Sequence, residues 1–493
     1  MPTNGPAAAE SSVRRFLAAA RHPVLLEPGE EQFPLADSTY SIEWRGSRLL
    51  LQVWDDTRNL ARRITGLREE RPGRLELAVE RFGGRPGRVF LLDLGRVSPA
   101  EERKGERLVW REEFRRSLHR QFPDWRLAEL SAEANLEESL SPAYPRALIR
   151  KGAAGWAALW SPPEQGAASG ALTFGLIWLD YLRRRESRLT IEGLALFLPQ
   201  AEARAACLRL PFLNPRAARF QVFVYTPEGY EDTLDPADYG NLETKLDTAA
   251  ATMQLDPAYA SIAALPFVES VACGGGGISL RVRGLEFARV SGKGLSFGLD
   301  RKTAGRPGSL PEIEALAREI ARQRSPGTAD RANPIWSRQP EAWLESQVRR
   351  RLAAVDASLL EAPIYGQVPA VAGGDRRVID LVAAGRDGRL AVLELKASED
   401  IHLPLQALDY WMRVRWHAER GEFSRKGYFP GVELLTRWPR LLLVAPALSF
   451  HPKTETILRY FDPSIEVERI GLGVEWRQGL RVMFRVKGAR RPI

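Results

Sequence analysis

Two opposite charges, Glu394 and Lys396, stand in the otherwise aliphatic run RLAVLELKA. Side chains along a strand alternate between faces, so Leu390, Val392, Glu394 and Lys396 share one face and Ala391, Leu393, Leu395 and Ala397 the other. A strand apolar on both faces reads as a covered, central one. An ionised group there costs several kcal/mol unless it is partnered, so both charges call for partners.

Asp380, in the equally aliphatic RRVIDLVAAG, is the first partner. Between the two runs lies GRDGR, a turn signal in which Gly388 supplies a positive backbone angle. A three-residue loop of Arg386, Asp387 and Gly388 pairs Gly385 with Arg389 and sets Asp380 opposite Glu394. A two- or four-residue loop would put the carboxylates on opposite faces. Two carboxylates and a lysine converging near strand ends suit a hard divalent cation, Mg²⁺ with Mn²⁺ as a substitute. The chemistry is attack on a phosphodiester: Asp380 and Glu394 hold the metal, and Lys396 orients the nucleophilic water or offsets developing charge.

Further residues flank this trio. Glu345 lies on the expected helix PEAWLESQVRRRLAAV, beside the apolar stripe Leu344, Val348 and Leu352. Gln406 and Tyr410, in LPLQALDYW, stand four apart and share a helix face. Arg349 opens the triplet Arg349, Arg350 and Arg351, the better placed of two arginine clusters for phosphate contacts; the other is Arg183, Arg184 and Arg185. Each residue also has a plainer reading. Glu394 and Lys396 make a same-face ion pair on an exposed strand end, Glu345 pairs with Arg349 one turn on, and Gln406 and Tyr410 mark a core boundary. His402 and His417 lack metal-ligand spacing and read as surface or packing residues.

The order of these elements resembles the core of the PD-(D/E)XK phosphodiesterase superfamily: a helix with Glu345, a strand near PIYGQVPAV, strands with Asp380 and with Glu394-Leu395-Lys396, then a helix. Gln406 to Tyr410 is similar to the QxxxY element of its RecB-like branch, whose members process DNA ends. Ile379 stands where that family often has proline. The resemblance covers residues 335 to 450. It implies a restriction-endonuclease-like mixed sheet flanked by helices, Mg²⁺-dependent cleavage of nucleic acid with DNA favoured, metal ligation by Asp380 and Glu394, and Lys396 as the family lysine. It maps the acidic residue of the first helix onto Glu345. The other readings are a non-catalytic nucleic-acid-binding or regulatory protein retaining the fold, and a Mg²⁺ enzyme acting on something else.

The rest of the chain sets the frame. At 493 residues it exceeds what one core organises, so a multidomain, mixed α+β (α/β) protein is expected. The divisions read as an α+β region over 1–130, an α/β module over 131–300, a linker with a polar helix over 301–334, and the nuclease-like domain over 335–493. The first two carry no motif that converts into a role. A hairpin is expected in TYSIEWRGSRLLLQVWD with Arg45, Gly46 and Ser47 as its turn, and another at the chain's end around Arg477, Gln478 and Gly479. In the second module GWAALW, TFGLIWLDYLRRR, LTIEGLALFLP and RFQVFVYTP read as strand, helix, strand, strand. No repeat is visible by eye, which leaves open an inactive second copy of the nuclease-like fold in the front half. The run Gly274 to Gly277 lacks the lysine and hydroxyl residue of a P-loop and reads as a turn or loop between strands.

Composition is that of an ordinary globular protein, 44% apolar and 27% charged. The two cysteines, Cys207 and Cys273, support neither a disulfide framework nor a zinc site and fit a cytoplasmic setting. No membrane span or secretion signal is read, and residues 1–10 are expected to lack order. The net charge of +9 is compatible with a polyanionic partner without identifying one. Oligomeric state is not legible.

Overall fold

Aliphatic runs separated by Gly- and Pro-rich turns fold, among the described residues, into four sheets with helices against them. The computed structural model describes the backbone of residues 5–488 except 21, 28–32, 36–38, 55–58, 81–85, 94–98, 164–167, 227–230, 237–243, 250–256, 274–276, 293, 329 and 373–374. Side chains are described for the same residues except 34, 39, 59, 99–106, 108, 168, 258, 273, 307, 367–372 and 375–380. The protein is mixed α+β and multidomain, and its contacts divide it into residues 1–203 with 221–233, and 204–220 with 234–493. Among the described residues no helix is long and apolar enough to cross a membrane.

In the first unit, one seven-stranded sheet is built mainly as an antiparallel meander from Thr39 to Asp93. Burial alternates along Arg48–Trp54 and Arg74–Glu80, as expected of strands buried on one face only. Helix Pro6–Ala19 packs on that buried face through Ala9 and Val13. Residues 6–10 are therefore ordered helix, contrary to the expectation for 1–10, because Ala9 is buried and the Glu10 carboxylate is bonded by Arg14 and Trp44. The hairpin at Gly46 is tighter than expected: Arg45 pairs with Arg48, which leaves Gly46 and Ser47 alone in the loop.

The second sheet runs Glu231–Leu234, Arg219–Tyr225, Thr190–Pro199, Ala154–Trp160, Arg146–Lys151, Arg126–Ser131. Helix Ala168–Arg185 carries the chain from Ala154–Trp160 to the parallel strand Thr190–Pro199, so the strand, helix, strand, strand reading holds.

In the second unit a five-stranded antiparallel sheet spans Val268 to Ala304. Of the glycine run, 274–276 lie outside the described residues, and the strands on either side pair with Cys273 opposite Gly277. Helix α1 (Leu310–Gln323), the polar helix expected in 301–334, buries Ile313, Ala317 and Ile320 against this sheet.

The last sheet has the order β1 (Thr244–Leu246), β2 (Tyr365–Ala372), β3 (Asp375–Ala384), β4 (Leu390–Leu395), β5 (Arg440–Pro446), β6 (Val467–Leu472) and β7 (Val482–Lys487). Strands β1 to β4 pair antiparallel, β4, β5 and β6 parallel, and β7 closes antiparallel on β6. Helix α2 (Pro340–Arg350) precedes β2, and α3 (Leu403–Glu419) makes the crossover from β4 to β5. The expected helix through Val355 breaks at Arg351, which leaves the helical region at φ −145° and ψ 53°, and one further turn follows over Leu352–Val355. The terminal hairpin forms, but its loop runs from Gly473 to Arg481 rather than through three residues, because Leu472 pairs with Val482. Trp476 within that loop is buried beside Trp343 of α2, so the longer loop closes part of the core.

Candidate active site

The loop between β3 and β4 sets the geometry. Ala384 pairs with Leu390, Gly385 N–H donates to the Arg389 carbonyl, and Arg386, Asp387 and Gly388 form the three-residue loop read from the sequence. Gly388 has a φ of +78°, and a Cβ there would lie 2.1 Å from the Glu433 carbonyl oxygen. Only glycine meets both demands. Asp387 Oδ1 accepts the Arg389 N–H and tightens the turn.

From this loop the pairs run Ala383–Ala391, Val382–Val392 and Leu381–Leu393. One further step sets Asp380 opposite Glu394. The Asp380 side chain lies outside the described residues, so its place is that of its strand position. Both side faces of β4 are buried, and Glu394 retains 2% of its exposure. Lys396, just past the strand, keeps its backbone in the sheet by donating its N–H to Val444 O. Its Nζ lies 3.7 Å from Glu394 Oε1 and 3.2 Å from Asp400 Oδ2.

Asp400 is a site residue that the sequence reading missed. Its other oxygen accepts the His402 N–H and fixes the entry to α3. Its only sequence signal is its place four residues beyond Lys396, in a segment without helical or strand periodicity. His402 and His451 are both held below the usual imidazole range, chiefly by burial; Asp400 opposes this in both, and Glu399 opposes it in His451. Near neutral pH both rings are uncharged, and Lys396 reaches both Glu394 and Asp400.

The sheet separates the remaining candidates. Leu381, Ala383, Ala391, Leu393 and Leu395 form one core with Trp343, Leu344 and Val348, so α2 covers that face. Glu394 and Lys396 point to the other, against which α3 packs; Trp411 of α3 donates its indole N–H to the Pro439 carbonyl just before β5. Gln406 and Tyr410 are half-buried on α3, one turn apart, with the Arg413 guanidinium 6.0 Å from the Tyr410 ring. They stand on the helix that packs against the face carrying Glu394.

Glu345 and Arg349 do not. Glu345 is buried on α2, where Oε1 accepts from Arg349 Nε at 2.8 Å and Oε2 lies 4.0 Å from Arg281. Arg349 also donates to the Ile364 carbonyl. This pair packs over Gly366, which has no side chain to obstruct it: a Cβ there would meet Arg349 Nη2 at 1.5 Å. Gly366 pairs with Leu381, on the α2 face. Arg350 is occupied by Glu269, and Arg184 and Arg185 by Glu138 and Glu129.

A buried ion pair holds α3 in place. Asp409 takes two parallel bonds from Arg209, 2.7 Å from Nε to Oδ1 and 2.8 Å from Nη2 to Oδ2. His417, further along α3, is buried and bonded through Nδ1 to Glu422 and through Nε2 to Thr244 of β1, a packing role. Among the described residues no three His, Cys, Asp or Glu side chains gather closely enough to hold a metal ion. Comparison with protein-family models and with curated proteins returned no match.

Proposed function

We propose that residues 335–493 form a metal-dependent nuclease of the PD-(D/E)XK, restriction-endonuclease-like type, hydrolysing phosphodiester bonds of nucleic acid, DNA favoured, in the cytoplasm. One observation carries the reading: the hairpin register, continued one residue past the Leu381–Leu393 pair, puts Asp380 opposite a buried Glu394, with Lys396 on the same face 3.7 Å from it. The donor set fits a divalent ion. Carboxylate oxygens are the ligands that Mg²⁺ or Mn²⁺ takes, and Asp380 and Glu394 would hold it. When bound, such an ion polarises the phosphate and acidifies water.

The chain's own residues supply the rest. Burial of Glu394 excludes water behind the carboxylate and keeps its field strong. Asp400 holds the Lys396 ammonium at the strand end, where it orients a nucleophilic water and offsets negative charge as it builds on the phosphate. Gln406 and Tyr410 present polar atoms along α3 toward a bound strand.

The test is cleavage by the purified full-length chain of linear, circular and single-stranded DNA and of RNA, with Mg²⁺, Mn²⁺ or EDTA. Metal-dependent cutting is expected, with Asp380→Asn, Glu394→Gln and Lys396→Ala each reducing it at least about a hundredfold. Cleavage unchanged in Lys396→Ala or Asp380→Asn would remove the site. Binding without cleavage under every metal would leave a non-catalytic nucleic-acid-binding protein.

A further inference from the structure

The front half repeats the fold of the candidate site. Helix Pro99–Gln121 is followed by strands Arg126–Ser131, Arg146–Lys151 and Ala154–Trp160 in antiparallel order, helix Ala168–Arg185, and the parallel strand Thr190–Pro199. That is the order of α2, β2, β3, β4, α3 and β5. The second helix starts eight residues after the third strand ends in both, Trp160 to Ala168 and Leu395 to Leu403. The faces also correspond. Ala147, Ile149, Trp156, Ala158 and Trp160 pack with Phe114 and Leu118 of the preceding helix, as Leu381, Ala383, Ala391, Leu393 and Leu395 pack with α2.

This fixes the equivalence residue by residue. The pair Ala147–Ala158 matches Leu381–Leu393. One step on, Arg146 opposite Leu159 stands where Asp380 opposite Glu394 stands in the other copy. Ser161 takes the place of Lys396. Both metal-binding carboxylates are gone, one replaced by a fixed cation.

Arg146 is 5% exposed. Its Nη2 donates to the Glu133 carbonyl at 2.6 Å, and its guanidinium lies 5.5 Å from the Trp178 ring of the crossover helix. Its Nε and Nη1 are buried with no acceptor among the described residues. Burial pushes its pKa down, with Glu129 and Glu133 opposing, yet a guanidinium stays charged in proteins. The Glu129 carboxylate is bonded by Arg185. Three N–H bonds of a desolvated guanidinium, one on Nε and two on Nη1, therefore await an acceptor, and Leu159 across the ladder offers none.

We propose that the front copy is a metal-free counterpart of the back one, in which Arg146 binds a phosphate-class oxyanion at the place where Asp380 stands in the other. A fixed positive charge repels a divalent cation at short range and favours a tetrahedral oxyanion, which accepts a charge-assisted bond from a guanidinium nitrogen. The metal-free character of the front copy rests on the metal site proposed above, whereas the oxyanion site at Arg146 rests on the geometry of the front hairpin.

The experiment is isothermal titration of the full chain, in EDTA, with inorganic phosphate and with a short single-stranded oligonucleotide. Phosphate should bind the wild type, Arg146→Gln should weaken it at least tenfold, and Arg318→Gln, at an exposed helix arginine paired with Glu314, should bind as wild type does. An oligonucleotide that competes with phosphate identifies the backbone of nucleic acid as the source; one that does not identifies free phosphate. Should Arg146→Gln fail to fold, wild-type crystals soaked in tungstate supply the test, with density within hydrogen-bond distance of the Arg146 guanidinium expected. No phosphate binding by the wild type, equal binding by Arg146→Gln, or no tungstate at Arg146 would overturn the proposal.

Discussion

Replacing Arg209 by Met keeps an apolar stem of similar length and removes the guanidinium that faces Asp409. Both groups are almost fully out of water, at 2% and 8% exposure, and they meet through two short, parallel charge-assisted bonds. Breaking such a pair leaves a buried charge short of its main counter-charge, which costs about 3–5 kcal/mol. Replacing both partners together, Arg209→Met with Asp409→Leu, removes the uncompensated charge as well. The double variant should then be nearer to wild type than either single one, which makes the two changes strongly non-additive. Urea unfolding followed by tryptophan fluorescence measures this, read as midpoint shifts at constant slope. A second readout is the ring of His402, which the positive charge of Arg209 helps to keep neutral. Its titration, followed by NMR, should move upward in Arg209→Met. A loss below about 1 kcal/mol, the range of exposed pairs, or additive behaviour of the double variant would refute the argument.

Other outcomes follow from the same structure. Gly388→Ala should cost more than about 2 kcal/mol and lower cleavage with it, because the left-handed backbone and the Glu433 carbonyl both exclude a Cβ; thermal unfolding checks this. Glu345→Gln should lower the melting temperature by loosening Arg349 and Arg281, without the rate loss expected of Lys396→Ala. Burial chiefly, against the pull of Glu422, holds His417 below its ordinary 6.5, so between its lowered value and 6.5 the unfolded chain binds a proton that the folded one does not. Stability is then full above 6.5 and falls as pH drops through that window. His402 and His451 act in the same sense. Urea midpoints across this range should decline toward acid, less steeply in His417→Asn, and a midpoint that rises would contradict the assignment.

What the sequence disclosed was whatever local chemistry decides. The GRDGR turn and strand alternation were enough to derive the loop, the register and the common face of Glu394 and Lys396. Helical periodicity identified the buried side of α2, but a helix packs equally well on either side of a two-faced sheet. Nothing in PEAWLESQVRR says that Glu345 ends up behind the strands rather than in front of them. Arg209 was invisible as a partner of Asp409 because the two are 200 residues apart. A second copy in the front half stayed open but unlocated in the sequence because its resemblance to the back one lies in connectivity and register, with Arg146, Leu159 and Ser161 at the positions of Asp380, Glu394 and Lys396.

The closing strand has a consequence for handling the protein. All six residues of β6 are buried, whereas β7 is mostly exposed and carries Arg485 and Lys487, both tethered to Glu468. At the other margin the sheet ends in β1, only three residues long. Short or charged border strands deny neighbouring molecules a flat ladder of free N–H and C=O groups. Trimming the chain before Val482 would bare Val467–Leu472, an aliphatic ladder with open hydrogen-bonding capacity, and promote self-association through its sheets.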